Sequence, residues 1–149
     1  MKTSLKTLTL ASLLLATSFL GLAPAHAATF KPSAYYNDCG TPTFFPKTIT
    51  QFCADAGAGV INIKWSTWGA TSAKGVGTYY INGCDPTCAG GKVSKTNVSV
   101  LLSGLTSTHG KKYLMHVTVT PLAGKKFSWP AKMKPVPTSV KWTTDFWRG

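Results

Sequence analysis

Two histidines and the lysines between them are the residues of this chain whose types fit acid–base chemistry on a phosphate. His109 and His116 could serve as base and acid, and Lys111 or Lys112 could bind the phosphate, as in a metal-independent ribonuclease. The spacing opposes this function, because seven residues of extended chain hold two side chains roughly 20 Å apart or more. If the segment is a regular strand, the two imidazoles do not act together.

The carboxylates of the chain also offer little chemistry. There is no Glu, and the acidic residues are Asp38, Asp55, Asp85 and Asp145. Most glycoside hydrolases need two carboxylates, whereas Asp55 and Asp85 stand in turn-like contexts where a short carboxylate bonds nearby backbone amides. Motifs for a serine nucleophile, a zinc protease, a phosphate-binding loop or a calcium loop are missing. The sequence therefore predicts no catalytic residue, no metal site and no cofactor.

Positive charge is the more informative feature. The chain has 16 Lys+Arg against 4 Asp+Glu, and residues 111–149 hold eight of the basic residues against Asp145 alone. A turn after Pro121 would return the chain beside the preceding strand and gather four lysines at one end of the domain, namely Lys111, Lys112, Lys132 and Lys134. Such a patch attracts anionic polymers, among them cell-wall polymers, acidic polysaccharides and nucleic acid, through a salt-sensitive field. The competing interpretation is that the lysines keep the protein soluble and protect its sheet edges.

Tryptophan side chains accompany the basic segment and can stack on sugars or bases where they are exposed. Trp68 follows a predicted strand, Trp129 lies among the lysines and Trp147 is close to the chain end, so we expect these three rings at the binding surface. Trp65 is different, because it shares one face of a predicted strand with two isoleucines. We expect it in the core.

Four cysteines, Cys39, Cys53, Cys84 and Cys88, predict two disulfides if the protein is exported. Three connectivities are open. We favour Cys84 with Cys88, because turn signals fold that segment tightly, and Cys39 with Cys53, because the two flank a short predicted strand. A zinc site is the competing interpretation, but Cys-x3-Cys without a nearby histidine is a poor match to the usual ligand spacing.

The start of the chain predicts export. Residues 1–27 combine two lysines, an apolar stretch and the small-x-small sequence Ala25-His26-Ala27, which is the pattern of a signal peptide. The apolar run is too short and too interrupted for a membrane span. We therefore expect a secreted, extracellular single domain over residues 28–149 without membrane insertion. Its first part, residues 28–46, is expected to be an irregular arm tied down by Cys39.

Apolar and polar residues alternate in the patterned segments of the mature chain, which predicts strands rather than helices. The predicted strands cover Lys47–Cys53, Gly59–Thr67, Gly75–Asn82, Thr96–Leu102, Tyr113–Thr120 and Lys125–Trp129. In the clearest of them, Tyr113, Met115, Val117 and Val119 face inward and His116 faces outward. We expect an all-β protein, a small antiparallel β-sandwich with two disulfides, and a small β-barrel is the alternative.

Four motifs together resemble a group of known proteins. They are Cys53-Ala54-Asp55-Ala56-Gly57, Lys64-Trp65-Ser66-Thr67-Trp68-Gly69, Gly75-Val76-Gly77-Thr78-Tyr79 and Asn82-Gly83-Cys84-Asp85-Pro86-Thr87-Cys88-Ala89-Gly90-Gly91. In their combined spacing they resemble small secreted actinobacterial proteins of unknown function. The resemblance implies export and a β-rich fold, and it supplies no catalytic residues. It does not cover the aromatic arm or the basic tail after Pro130.

Two functions from different classes fit these features. The first is a non-enzymatic basic binding module for anionic cell-surface or extracellular polymers, carried by the lysine cluster and the three tryptophans. The alternative is a protein-contacting factor, an inhibitor or a toxin, which would present a rigid loop from Cys84 to Gly91. A small secreted hydrolase is the least favoured function, because the chain lacks paired catalytic groups.

Overall fold

Eight β-strands and no helix make up residues 32–144, the part of the chain that the computed structural model describes. The strands are β1 (Tyr36–Asp38), β2 (Thr41–Thr43), β3 (Ile49–Thr50), β4 (Ala58–Trp68), β5 (Ala73–Asn82), β6 (Val93–Thr108), β7 (Lys111–Pro121) and β8 (Val140–Thr143). β1 and β2 form a hairpin, and β3 to β8 form one antiparallel sheet in sequence order. The predicted all-β fold is confirmed. The predicted signal peptide lies outside the described residues.

The six-stranded sheet curls into a half barrel, and the chain around β1 joins its two sides. On the β7 side, the Tyr35 N–H donates to the Lys112 carbonyl over 2.7 Å, and Tyr35 forms a parallel bridge with Tyr113. On the β3 side, the Thr50 N–H donates to the Asp38 carboxylate over 2.9 Å. These contacts satisfy backbone groups that an open sheet edge would leave free to pair with another chain.

The core lies on the inner face of this sheet, where the alternation read from the sequence holds in β6 and in the second half of β7. In the first half of β7 the alternation fails, because Leu114 is buried together with both of its neighbours. Val100 lies opposite Val119, and both side chains are almost inaccessible to solvent. Full burial of a side chain of this size stabilises the fold by about 1.5–3 kcal/mol relative to exposure. Tyr36 and Phe127 belong to the same cluster of buried residues. The layer opposite the sheet is thus a hairpin and an irregular segment rather than a second full sheet.

The arm predicted over residues 28–46 is more regular than expected in its described part. It contains the hairpin of β1 and β2, whose two-residue turn consists of Cys39 and Gly40. The φ angles of these residues are 49° and 92°. Positive φ at both positions is typical of the turns that join tightly paired antiparallel strands, and glycine adopts it without steric cost.

The strand predicted over Lys125–Trp129 does not form. The edge of β7 that it was expected to pair with is occupied by β8, in the register Val117 to Trp142. The Ser128 N–H instead donates to the Thr96 hydroxyl over 2.8 Å, so a side chain holds this segment in place of a strand ladder. The prediction failed because β8, which the sequence pattern did not reveal, takes the edge.

Both disulfides form with the favoured pairing, Cys39–Cys53 and Cys84–Cys88. The first fastens the β1–β2 turn to the loop after β3, and the second closes the loop between β5 and β6. No cysteine of the described residues is free, so no thiolate remains for the zinc alternative. Two disulfides are typical of extracellular proteins.

Buried tyrosines make the stability of the fold sensitive to alkaline pH. Burial, reinforced by the charge of Tyr80, raises the pKa of Tyr79 to about 12, and burial together with Asp38 raises the pKa of Tyr36. An unfolded tyrosine loses its proton near pH 10, where these folded side chains keep theirs. The unfolded state then binds fewer protons, so the free energy of unfolding decreases as the pH rises through this range. We expect the urea concentration at the unfolding midpoint to decrease as the pH rises from about 10 towards about 12.

The matched variant for this prediction is Tyr79→Phe. It loses the hydrogen bond to Gln51, which spans 2.8 Å, and is therefore less stable at neutral pH. Its midpoint should nevertheless depend less on alkaline pH than that of the parent protein. Phenolate absorbance in the folded protein gives a second readout, and simultaneous ionisation of all tyrosines near pH 10 would contradict the prediction.

Candidate functional site

The four lysines expected to form one cluster lie at two ends of the sheet. Lys111 and Lys112 begin β7 and pair with the last residues of β6. Lys132 forms an ion pair with Asp85 over 2.7 Å, in the loop that leads into β6. β6 has 16 residues, and a strand of that length spans on the order of 50 Å when extended. The prediction of a four-lysine cluster is therefore wrong.

The path of the chain after β7 explains the separation. The expected turn would have laid the following residues along β7, but the Leu122 N–H donates to the Asn97 carbonyl of β6 over 3.1 Å. The chain then reaches the end of β5, where a Cβ added to Gly83 would lie 3.1 Å from Pro130. Lys132 follows directly, beside the start of β6.

A different group of lysines comes together at this end of the sheet. We call it the basic end, and it consists of the exposed residues Lys92 and Lys132, which line one cleft, and Lys134, which follows Lys132 closely in the chain. Sequence reasoning singled out two of these as binding residues and missed Lys92, which precedes β6. Lys92 comes close to Lys132 only because the chain after β7 crosses to the start of β6, and the local sequence carries no signal of that crossing.

A cleft of about 300 Å³ opens at the basic end beside Trp129. Its walls are formed by Gly83, Asp85, Lys92, Ser94, Trp129, Pro130, Ala131 and Lys132. The indole of Trp129 is half-buried, its ring centroid lies 5.6 Å from that of Phe127, and its Nε1 donates to the Met133 carbonyl. These contacts fix the orientation of the ring. Trp129, one of the three rings expected at a binding surface, thus lines a cleft rather than a flat exposed surface.

The ion pair between Lys132 and Asp85 lies at the wall of this cleft, and both side chains are more than half exposed. An exposed pair of this kind contributes about 0–1 kcal/mol to stability, so a ligand can replace either partner at little cost. The hydrogen-bond partner of the Asp85 carboxylate is Lys132, and not a nearby backbone amide as expected. The carboxylate sets the position of a lysine that can bind an anion.

The loop that carries Asp85 is held rigidly in the structure. The Asn82 side chain donates from Nδ2 to the Cys88 carbonyl over 2.6 Å and accepts at Oδ1 from the Cys84 N–H over 3.0 Å. The Cys84–Cys88 disulfide closes the same loop. Side chain and disulfide together restrict the backbone on both sides of Asp85.

Trp68 does not lie at a binding surface. It is the last residue of β4, its side chain is 3% exposed, and its Nε1 donates to the Ala34 carbonyl over 2.8 Å. The register of β4 against β5 shifts twice, between Ile61 and Lys64 and between Trp65 and Thr67. Each such bulge inserts a residue and turns the following side chains to the opposite face. The prediction for Trp68 is wrong because β4 does not end at Thr67 as expected. It continues to Trp68, and the two shifts together leave this side chain on the same face as Ala58 and Val60.

Two further tryptophans were singled out from the sequence, Trp65 for the core and Trp147 for the binding surface. Trp65 packs against the buried cluster, as expected, and its Nε1 donates to the Pro46 carbonyl over 2.9 Å. Trp147 lies outside the described residues. The bonds that hold Trp65 and Trp68 both involve residues of the aromatic arm, so the arm contributes to the core rather than to a binding surface.

The two histidines are both exposed and lie apart on β7 and its preceding turn. His109 is in the turn between β6 and β7, where its Nδ1 lies 3.1 Å from the Thr108 hydroxyl. His116 lies in the middle of β7, and its backbone pairs with Ser103 and Thr143. The segment between the two histidines is thus part of a regular strand, which is the condition under which the spacing keeps the two imidazoles apart.

Residues 32–144 contain no group of three or more His, Cys, Asp or Glu side chains that could hold a metal ion. In the same range, no helix has the length and the hydropathy needed to cross a membrane. Fold and site therefore define a small basic all-β protein with two disulfides. Comparison with protein-family models, curated proteins and solved structures gives no match.

Proposed function

We propose that this protein is a non-enzymatic binding module for an anionic extracellular polymer, which it binds at the basic end. The observation that carries the proposal is the cleft in which the Trp129 ring lies beside Lys92 and Lys132. An aromatic face stacks on a sugar or a base, and lysines beside it bind the negative charges of the polymer. The proposal keeps the function expected from the sequence and moves its site away from Lys111 and Lys112.

The charges of the basic end are largely uncompensated. Among the described aspartates, Asp38 and Asp55 accept backbone N–H groups, and Asp85 pairs with Lys132. No other ion pair between side chains is found within residues 32–144. Uncompensated lysines attract polyanions over about 8–10 Å, the Debye length near physiological ionic strength.

The polar groups of the cleft favour an acidic polysaccharide as its ligand. The Asp85 carboxylate can accept hydrogen bonds from sugar hydroxyls, and the Ser94 hydroxyl can donate or accept. A polymer that offers only phosphate oxygens would give the Asp85 carboxylate no hydrogen-bond donor. A sugar with a carboxylate or sulfate group matches the lysines, the aspartate and the indole together.

The proposal places the protein outside the cell. It is supported by the two disulfides, which are typical of extracellular proteins, and by the signal-peptide pattern of residues 1–27. The resemblance to small secreted actinobacterial proteins points in the same direction. An extracellular location would bring the basic end into contact with cell-surface polymers.

The rigid loop between β5 and β6 supports a second candidate function, a protein-contacting inhibitor or toxin. Residues 84–90 are all exposed, and the loop is fixed by its disulfide and by Asn82. A rigid exposed loop binds a protein surface with a small entropic cost. Substitution of Pro86 and Thr87 by alanine would weaken such a protein contact, whereas polymer binding in the cleft should remain.

A binding screen at two salt concentrations tests the proposed function. The purified protein is offered an acidic polysaccharide, a neutral polysaccharide, a phosphodiester polymer, duplex DNA and vesicles containing anionic lipid. We expect retention by the acidic polysaccharide at low salt, weaker retention at high salt and none by the neutral polymer. If the protein is retained by none of these polymers or vesicles at low salt, the proposal is contradicted.

The sharpest test removes two lysines of the cleft. In the double variant Lys92→Gln with Lys132→Gln, we expect weaker polymer binding and a flatter dependence of affinity on salt. Each lost polymer contact reduces the slope of log K against log salt by about 0.7–0.9, so the double variant should lose about 1.4–1.8. Isothermal titration at several salt concentrations measures this slope.

The chain offers a control with the same change in net charge. The double variant Lys111→Gln with Lys112→Gln alters two exposed lysines at the far end of β6. Its slope should stay close to that of the parent protein, because these side chains do not contact a ligand at the basic end. Equal effects of both double variants would show that net charge alone, and not the cleft, determines binding.

A further inference from the structure

The outer face of the sheet carries another cleft, of about 430 Å³, over β6, β7 and β8. Its polar lining consists of Ser103, His116, Thr118, Lys141 and Thr143. Their arrangement follows from the strand register, because residues that pair across strands point to the same face. Ser103, His116 and Thr143 form one cross-strand row, and Thr118 with Lys141 forms the next.

The chemistry of this lining suits an anion. One ammonium group, one imidazole and three hydroxyls can all donate hydrogen bonds, and no carboxylate is among the described residues that line the cleft. His116 and Lys141 are diagonal neighbours on adjacent strands, which places their backbones roughly 7–8 Å apart. Side chains on neighbouring backbones of this kind, both lining the same cleft, can contact one tetrahedral anion from two sides.

The imidazole of His116 is positioned by the backbone of β6. Gly104 has a φ of 71°, and a Cβ added there would lie 2.6 Å from Nδ1 of His116. The ring therefore lies over a glycine, in space that any other residue would fill. This contact holds the imidazole at the side of the cleft that Ser103 also lines.

We propose that this cleft binds a phosphate group, with Lys141 and His116 as its nitrogen donors and the three hydroxyls around it. A phosphate offers several acceptor oxygens in a tetrahedral arrangement, which matches donors on three strands better than the two oxygens of a planar carboxylate. The site shares no lining residue with the Trp129 cleft. It is independent of the proposed polymer binding.

The phosphate group can come from free phosphate or from a phosphodiester chain that lies across the strands. Lys74 lies in the same cross-strand row as Thr118 and Lys141, with Leu101 between Lys74 and Thr118. A chain of phosphates running along this row would reach Lys74, whereas a single phosphate would not. The contribution of Lys74 to binding therefore distinguishes a phosphodiester chain from free phosphate.

The experiment follows both imidazoles by NMR while inorganic phosphate is added at constant pH and ionic strength. We expect the His116 signals to shift and to reach saturation, whereas those of His109 in the turn should hardly change. Chloride at the same ionic strength is the reference titration. A shift without saturation, or an equal shift of both histidines, would overturn the proposal.

Substitutions then assign the donors. Lys141→Gln is expected to lower the association constant for phosphate about tenfold, because it removes the charged donor. Lys74→Gln, an exposed lysine of the same row, should leave it within about twofold. If Lys141→Gln has no effect on the His116 titration, the proposed site is wrong. Unfolding curves of both variants show whether the fold is intact, which we expect for exposed side chains.

A short phosphodiester oligomer tests the second source. Tighter binding of the oligomer than of inorganic phosphate, lost in Lys74→Gln, identifies a polymeric ligand, and equal or weaker binding identifies free phosphate. The double variant Lys92→Gln with Lys132→Gln should keep the His116 response in either case. If this variant loses polysaccharide binding while its phosphate titration is unchanged, the two sites act independently. Each proposal can then fail without the other.

Discussion

Trp68→Ala is expected to destabilise the protein by about 4 kcal/mol, within the range measured for truncation of buried aromatic residues. The indole is 3% exposed, and its ring centroid lies 4.8 Å from that of Trp65 and 4.9 Å from that of Phe45. Truncation removes these contacts and leaves a cavity. It also leaves the Ala34 carbonyl without its hydrogen bond from Nε1. Urea unfolding, monitored by circular dichroism, measures the decrease in the free energy of unfolding.

The variant Trp68→Phe keeps part of the aromatic packing. It retains one ring in the core but removes the donor to Ala34 and the volume of the second ring, so we expect a loss of stability that is smaller than that of Trp68→Ala, with about 1–3 kcal/mol of it due to the unsatisfied carbonyl. An unchanged urea midpoint in Trp68→Ala, together with weaker polymer binding, would contradict the buried position. That outcome would restore Trp68 as a binding residue.

Removal of the Cys39–Cys53 disulfide is expected to cost about 3 kcal/mol, and removal of Cys84–Cys88 about 2 kcal/mol. The order follows from the sequence separations of 14 and 4 residues, because the longer loop loses more conformational entropy when it is closed. The first disulfide also holds the β1–β2 turn beside β3. Paired Cys→Ala variants, compared by urea unfolding, measure both values.

Thiol titration of the denatured, unreduced protein provides the control for this comparison. It should detect no free thiol in the parent protein and in either double variant, since each variant keeps one intact pair. The prediction fails if both double variants unfold at the midpoint of the parent protein. If removal of Cys84–Cys88 lowers the free energy of unfolding more than removal of Cys39–Cys53, the short-loop disulfide stabilises the fold by more than chain entropy accounts for.

The alternation of apolar residues predicted the inner faces of β6 and of the second half of β7 correctly, whereas Leu114, expected to face outward, is fully buried in the core cluster. Val98, Val100 and Leu102 are buried as the period of two requires, because both strands run without a register shift over this part of the sheet. The pairing of the cysteines was also predictable, since each pair is close in sequence and is joined by a tight turn or a short strand. Local patterns were sufficient for both features.

Non-local features were not predictable from the same patterns. The bulges of β4 depend on how it pairs with β5, and they exchange the faces of the residues between them, so that Ile63 is buried and its neighbours Asn62 and Lys64 are exposed. The basic end depends on the path after Pro121, where a backbone bond to Asn97 directs the chain to the start of β6. A single carbonyl acceptor on a distant strand decides this path, and the residues of the turn itself do not reveal it.

The position of the Tyr35 bridge has a consequence for how the chain reaches its native state. Tyr35 is synthesised before any of the long strands, yet its partner Tyr113 lies in β7, near the end of the sheet. Neighbouring strands of the meander find one another over short loops, whereas this closure must wait for almost the whole domain to emerge. Tyr35 thus acquires its native contacts with β7 only after almost the whole sheet has been synthesised.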